Sequence, residues 1–397
     1  MRRGASTHVH FAELFWPPAD ELAAAAAQIR ARLGDWPARA VPMRICVAAP
    51  EHPVAGDLLI VTASDAEAAR AAGVIVIDER HATLVSGEAR YALTAAAQLA
   101  DDWIAALAAF LDCGFEPYDA LVLALAWRDG DEAAAGDPWP VDLARFPSIA
   151  GAPAAPEPAF VPCPARLGLY PVVPSAEWVE RVLDYGARTV QLRLKGMPAE
   201  QLAGEVARAV AAGHRHPDAC VFINDHWRLA IEAGAYGVHL GQEDLQIADL
   251  GAIAAAGLRL GLSSHGYYEM LVALRLRPSY LALGPVYATT TKAVAAPPQG
   301  LARIGRYARL AGRRVPLVAI GGVNAATLSA VIATGVGSVA VVSAVTAAAD
   351  PRTAVALLGA CFESSPEQNG TAPQHASRPD PSFVDRVRRG TARGYIV

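Results

Sequence analysis

The chain has 397 residues, room for two or three domains at about 150 residues each. Hydrophobic residues make up 53% and charged residues 18%, against roughly 25% charged in an average soluble domain. This balance excludes disorder for most of the chain, and a net charge of 34 − 39 = −5 without a basic block excludes a general nucleic-acid scaffold.

At the start, Arg2 and Arg3 are basic, but no apolar stretch follows before Glu13, so no signal peptide is expected. The five cysteines are scattered and never form C-x-x-C. They read as thiols in a reducing cytoplasm, not as a disulfide frame or zinc site. Residues 44–49, 57–64 and 74–78 read as short strands, 91–111 as a long amphipathic helix, and 120–127 as a further apolar segment. Residues 1–150 are thus expected to form a mixed α/β domain. It carries neither a G-x-G-D nor a Walker A loop, so a noncatalytic or oligomerising role is expected of it. Residues 151–164 hold five prolines in fourteen positions and read as a linker.

From residue 165 the pattern alternates regularly. Apolar β-type runs occupy 167–173, 189–195, 220–225, 237–241, 259–264, 280–286, 316–322 and 338–345. Stretches of helical period occupy 175–185, 199–212, 226–233, 246–256, 267–276, 301–311, 324–333 and 351–361. Eight strands, each followed by a helix, in about 200 residues predict a compact (β/α)8 TIM barrel over 165–361. The uncharged stretch 315–349 is long enough to span a bilayer, but Pro316, Gly321, Gly322, Gly335 and Gly337 cut it into strand-sized pieces. No membrane association is expected. The polar, Pro-rich residues 362–397 read as a disordered tail.

In such a barrel, chemistry belongs at the C-terminal ends of the strands. Strand two ends in Gln191-Leu192-Arg193-Leu194-Lys195, and alternation sends Gln191, Arg193 and Lys195 to one face. Charges facing a barrel interior are costly unless they meet an anion. Strand three ends in Asn224-Asp225 and strand four runs into Gly241-Gln242-Glu243-Asp244. Two carboxylates at adjacent strand ends suit a hard cation that keeps several waters, as Mg2+ does beside a phosphate. Strand five ends in Ser263-Ser264-His265, and strand six leads into Thr289-Thr290-Thr291-Lys292. Strand seven ends in Gly321-Gly322, and strand eight in Val342-Ser343, where barrels often bind phosphate. Two anion-friendly patches suggest two phosphorylated substrates.

Taken alone, Asp225 and Ser263 are as well explained as helix caps, and His239 and His265 as hydrogen-bonded residues of the mouth. Gly335 to Ala340 matches G-x-G-x-x-A, but it precedes a strand where a dinucleotide loop follows one.

The segments QLRLKG, IND, GVHLGQED, GLSSH, LGPVYATTTK…PQG, AIGGV and VVS, in this order and spacing, resemble the thiamine-phosphate synthase family over residues 166–349. The resemblance implies a transferase that joins 4-amino-2-methyl-5-hydroxymethylpyrimidine diphosphate to a thiazole phosphate, releasing pyrophosphate and thiamine phosphate. It places the pyrimidine diphosphate on the strip Gln191, Leu192, Arg193, Leu194 and Lys195, with Asn224, Ser263 and Lys292. It places Mg2+ on Asp225 and Asp244, and the thiazole phosphate on Thr289, Thr290, Thr291, Gly322, Val342 and Ser343. Arg193, Lys195 and Lys292 would carry the catalytic charge. Partners would be small phosphorylated molecules, with no nucleic acid and no membrane, and a homo-oligomer stays open. Two alternatives are a thiazole tautomerase, which has no diphosphate to hold, and a ligand-binding paralogue without turnover. One departure is His226-Trp227-Arg228, where the family more often has arginine first and an acidic residue third.

Overall fold

The computed structural model describes residues 11–52, 54, 56–62, 73–128, 137–289 and 297–363. Its contacts divide the chain after Ala152 into two compact units.

The first unit is built on a mixed seven-stranded sheet. Strands β1 (Phe15–Trp16), β2 (Ile45–Cys46), β3 (Leu58–Thr62) and β4 (Gly73–Asp78) pair in parallel. β5 (His81–Ser86), β6 (Ala89–Thr94) and β7 (Ser148–Ile149) continue it antiparallel. The long helix expected over 91–111 does not form. Its first residues are β6, hairpinned onto β5 through a turn at Gly87 with φ +57°, and only Trp103–Asp112 is helical (α2). Alanine-rich sequence favours helix intrinsically, but six paired residues against β5 override that weak preference. α1 (Asp20–Leu33) packs on α2, and α2 on α3 (Pro117–Ala126), which corresponds to the apolar 120–127 segment. Asp57 is fully buried, a cost met by a two-pronged bond from Arg44 (2.9 and 2.7 Å) and one from the Val54 amide. The Arg44 guanidinium holds the Asp57 carboxyl below its usual range.

The second unit is a closed barrel of eight parallel strands. They are β8 (Gly168–Val173), β9 (Thr189–Leu192), β10 (Cys220–Asn224), β11 (Gly237–Leu240), β12 (Arg259–Ser264), β13 (Tyr280–Leu283), β14 (Leu317–Ile320) and β15 (Ser338–Val341). β15 pairs with β8 (Ser338↔Gly168 through Val341↔Pro171) and removes every open edge. Helices intervene at every step, among them α4 (Ala176–Asp184), α5 (Ala199–Arg215), α6 (Trp227–Ala233), α7 (Leu250–Ala255), α8 (Tyr267–Arg275), α9 (Gly300–Ala311) and α10 (Leu328–Ile332). The short α11 (Ser343–Thr346) and the closing α12 (Pro351–Glu363) complete the set. The apolar stretch 315–349 is therefore β14, α10, β15 and α11, and among the described residues no helix is long and apolar enough to cross a membrane.

Alternate strand residues fill the barrel. Tyr170, Val172, Phe222, Tyr280, Ala282, Val318 and Ala340 form one buried cluster. Three rings here are large for a barrel interior, and a glycine makes room for one of them. A Cβ on Gly261 would overlap the Tyr280 ring directly. Gly261→Ala is expected to cost about 3 kcal/mol of stability by overpacking, read as a lowered melting temperature. An unchanged melting temperature would contradict this packing. Residues 160–163, within the proline-rich stretch, bond back onto the barrel. Val161 O accepts from Ser279 Oγ (2.6 Å), and Pro162 O from Arg259 Nε (3.1 Å). The tail expected to be disordered lies, beyond residue 363, outside the described residues.

Candidate active site

The strand ends surround a cavity of about 250 Å3 at the barrel mouth. Gln191 enters it from near the end of β9 and is buried. β9 stops at Leu192, short of the expected 195, but the Arg193 amide still bonds to Val173 O (2.9 Å). That last rung keeps the Arg193 side chain on the cavity wall. Lys195 differs from expectation. It stands on the exposed rim, outside the barrel interior, and donates to Asp225 Oδ2 at 2.7 Å. Leu192 and Leu194 are buried and do not line the cavity, the outcome of alternation along an inward-facing strip.

Asn224 is buried and lines the cavity. Asp225 follows with φ +62°, a left-handed conformation that a short polar side chain tolerates better than most. It does not cap α6, whose cap position is His226. Its carboxylate instead meets Lys195 and faces Asp244. The Gly241 amide donates to Asp244 Oδ2 (2.8 Å) and fixes that carboxylate's direction. Burial, and then the neighbouring Asp225 charge, push the Asp244 carboxyl above its ordinary range. Two facing carboxylates in partial burial form a donor set that favours a hard cation, and Lys195 partly answers it. Among the described residues, no group of three or more His, Cys, Asp and Glu forms, so phosphate and water would supply the remaining ligands. The exposed Lys195–Asp225 pair adds little stability, as ion pairs in water do, so its interest is chemical.

Ser263 does not cap a helix either, since α8 begins after Gly266. Its Oγ bonds His239 Nε2 at 2.9 Å, and Gln242 Nε2 donates to its backbone oxygen at 2.6 Å. His265 bonds Glu269 through Nδ1 (2.8 Å), as a mouth histidine held in place.

The opposite wall holds Gly321, Gly322, Val342, Ser343 and Thr289. Both glycines have positive φ, +105° and +66°. The loop after β13 lies against them. Val286 N donates to Ile320 O (2.9 Å) and Tyr287 N to Gly321 O (3.0 Å). The same loop is tied at its far side, where the amides of Gln299 and Gly300 donate to Pro285 O and Val286 O (2.7 and 2.9 Å). Gln299 is buried, and its Oε1 accepts from Tyr307 at 2.9 Å. Thr290, Thr291 and Lys292 lie outside the described residues. Pro174 and Thr346 also line the cavity and were not singled out from sequence. Nothing in their local pattern separates them from ordinary loop or helix residues.

Comparison with known proteins supplies the family. Residues 169–345 match the family model described as thiamine monophosphate synthase. Thiamine-phosphate synthase of Escherichia coli O1:K1 / APEC is 58% identical over 203 residues, which cover 51% of this chain and 95% of that protein. The thiamine-phosphate synthase of Shigella flexneri matches to the same extent. Among solved structures, thiamine phosphate pyrophosphorylase from Pyrococcus furiosus is 32% identical with a TM-score of 0.45, covering 50% of this chain and 96% of that one. Through its barrel half, the chain belongs to the thiamine-phosphate synthase family of enzymes.

Proposed function

We propose that the barrel joins 4-amino-2-methyl-5-hydroxymethylpyrimidine diphosphate to a thiazole phosphate, giving thiamine phosphate and pyrophosphate. The observation that carries this reading is one cavity with a cation-and-carboxylate rim on one side and a glycine-backbone wall on the other. A single phosphorylated substrate needs one such patch, whereas a condensation of two needs both.

Asp225 and Asp244 would hold Mg2+, which supplies charge neutralisation for the diphosphate. Arg193 and Lys195 bind the same diphosphate, and Lys292 adds a third cation from the loop after β13. Gln191, Asn224 and Ser263 orient the pyrimidine ring on the cavity wall. Thr289, Thr290, Thr291, Gly322, Val342 and Ser343 receive the thiazole phosphate and hold the thiazole nitrogen toward the pyrimidine methylene. The carbon–oxygen bond to the diphosphate breaks, the methylene carries positive charge, and the nitrogen lone pair closes on it. The residues therefore act by binding the leaving charge and by positioning, with no protein nucleophile.

The tautomerase reading would leave Arg193, Lys195 and the paired carboxylates without a diphosphate to meet. An omission experiment separates the two. The full chain with Mg2+ is given each substrate alone and both together, and pyrophosphate is followed. Release that requires both substrates is expected. Isomerisation of the thiazole phosphate alone, without pyrophosphate release from the mixture, would refute the synthase reading.

A further inference from the structure

We propose that Lys195 and a divalent cation compete for the Asp225 carboxylate, so that the lysine carries its bond over to the diphosphate as the cation takes its place. The roles of cation and diphosphate rest on the function proposed above; the bond that the lysine must give up does not.

Of the groups that meet on this rim, the carboxylates are fixed and the lysine is movable. The Asp225 amide donates to His239 O (3.0 Å), and Asp225 O accepts from the Trp227 amide (2.8 Å). The Gly241 amide holds Asp244 Oδ2 (2.8 Å), and that carboxylate feels the Asp225 charge. Lys195 Nζ donates to Asp225 Oδ2 at 2.7 Å and has no second partner among the described residues. Its side chain is 57% exposed against 28% for Asp225, so solvent surrounds the movable member of the pair. It stands between the end of β9 at Leu192 and the start of α5 at Ala199, and Gly196 follows it with φ +65°. A lysine ammonium is a compact charge with three donors on a flexible four-carbon stem, and it changes partner without backbone movement. An exposed ion pair holds it only weakly.

Charge decides which partner it keeps. Asp225 and Asp244 together bear two negative charges, and one ammonium answers only one of them. A divalent cation answers both. Two cations on one carboxylate oxygen repel each other, and the weakly held, mobile one leaves. The diphosphate oxygens are then the acceptors within its reach, beside Arg193 on the cavity wall. Lys195 thus serves the carboxylates in one arrangement and the diphosphate in the other. Its place on the exposed rim, outside the barrel interior, lets the ammonium turn between the two. Cation and diphosphate each help the other to bind, by the same factor in both directions.

The test measures Mn2+ binding to the full chain by electron paramagnetic resonance, with Mn2+ standing in for Mg2+ as another cation suited to carboxylate and water. Without diphosphate, Lys195→Met is expected to bind Mn2+ about fivefold more tightly than the unaltered protein, because the competitor is gone. With Mn2+ present, the same variant is expected to bind the pyrimidine diphosphate at least about tenfold more weakly. Arg193→Met removes a cavity-wall charge that makes no bond to Asp225 among the described residues, and is expected to leave binding of Mn2+ alone nearly unchanged. A merely structural lysine would not give effects of opposite sign on the two ligands. An Mn2+ affinity unchanged or weakened in Lys195→Met overturns the proposal, as does a diphosphate affinity that the substitution leaves intact. Equal tightening of Mn2+ by Arg193→Met also overturns it, since the effect would then be a general field. Opposite signs without formation of thiamine phosphate would remove the synthase reading and leave the exchange standing. Formation of thiamine phosphate with an unchanged Mn2+ affinity would do the reverse.

Discussion

Asp244→Asn is expected to lower kcat/KM by about a hundredfold to a thousandfold while leaving the melting temperature at neutral pH unchanged or slightly raised. The two effects have one origin. Asp244 is half-buried and faces Asp225, so the folded protein bears an uncomfortable pair of negative charges. Asparagine keeps an oxygen to accept from the Gly241 amide, which now meets Asp244 Oδ2 at 2.8 Å. It removes the repulsion with Asp225 and, with it, half of the donor set for a hard cation. Stability is therefore expected to be spared while the Mg2+ proposed to offset the diphosphate charge would be lost, the pattern of a strained functional site. Kinetics across a Mg2+ series together with calorimetry check it. A large loss of melting temperature with activity preserved would mean that Asp244 is a structural residue.

Gly322→Ala is expected to raise the KM for the thiazole phosphate about a hundredfold and to leave binding of the pyrimidine diphosphate nearly unchanged. Residue 322 holds φ +66°, which alone costs an alanine about 1–2 kcal/mol. Its new Cβ would also lie 2.6 Å from Ala288 O and 2.8 Å from Tyr287 Cβ, so the loop after β13 must move. That loop carries Thr289, and it leaves the wall where Gly322 and Ser343 stand. The measurement is a pair of KM values and a melting curve. Equal KM increases for both substrates would contradict a separate phosphate wall.

Much of this was legible in the sequence, for reasons that particular residues make clear. Buried parallel strands read as near-continuous apolar runs, so β10 (CVFIN) and β13 (YLAL) were visible without any contact information. The carboxylates at 225 and 244 were visible because charges are sparse in this barrel and these fall at adjacent strand ends. The left-handed backbone at Asp225 was not, since no local pattern marks it. Lys195 was misplaced into the interior because alternation was carried three residues beyond the end of β9. The second half of β6 was read as the start of a helix because its pairing with β5 is a through-space fact, while the alanines that follow speak locally for helix. The hydrogen bond between Tyr170 and Tyr280 was hidden for the same reason. Tyr170 and Tyr280 are 110 residues apart and meet only when β15 closes the barrel against β8.

The central claim is that the two-sided mouth joins two phosphorylated substrates. The direct measurement mixes the full chain, Mg2+, the pyrimidine diphosphate and the thiazole phosphate, and quantifies thiamine phosphate and pyrophosphate together. The account predicts both products in equal amounts, with neither formed after chelation of Mg2+. A folded chain that binds both substrates and forms neither product would contradict it.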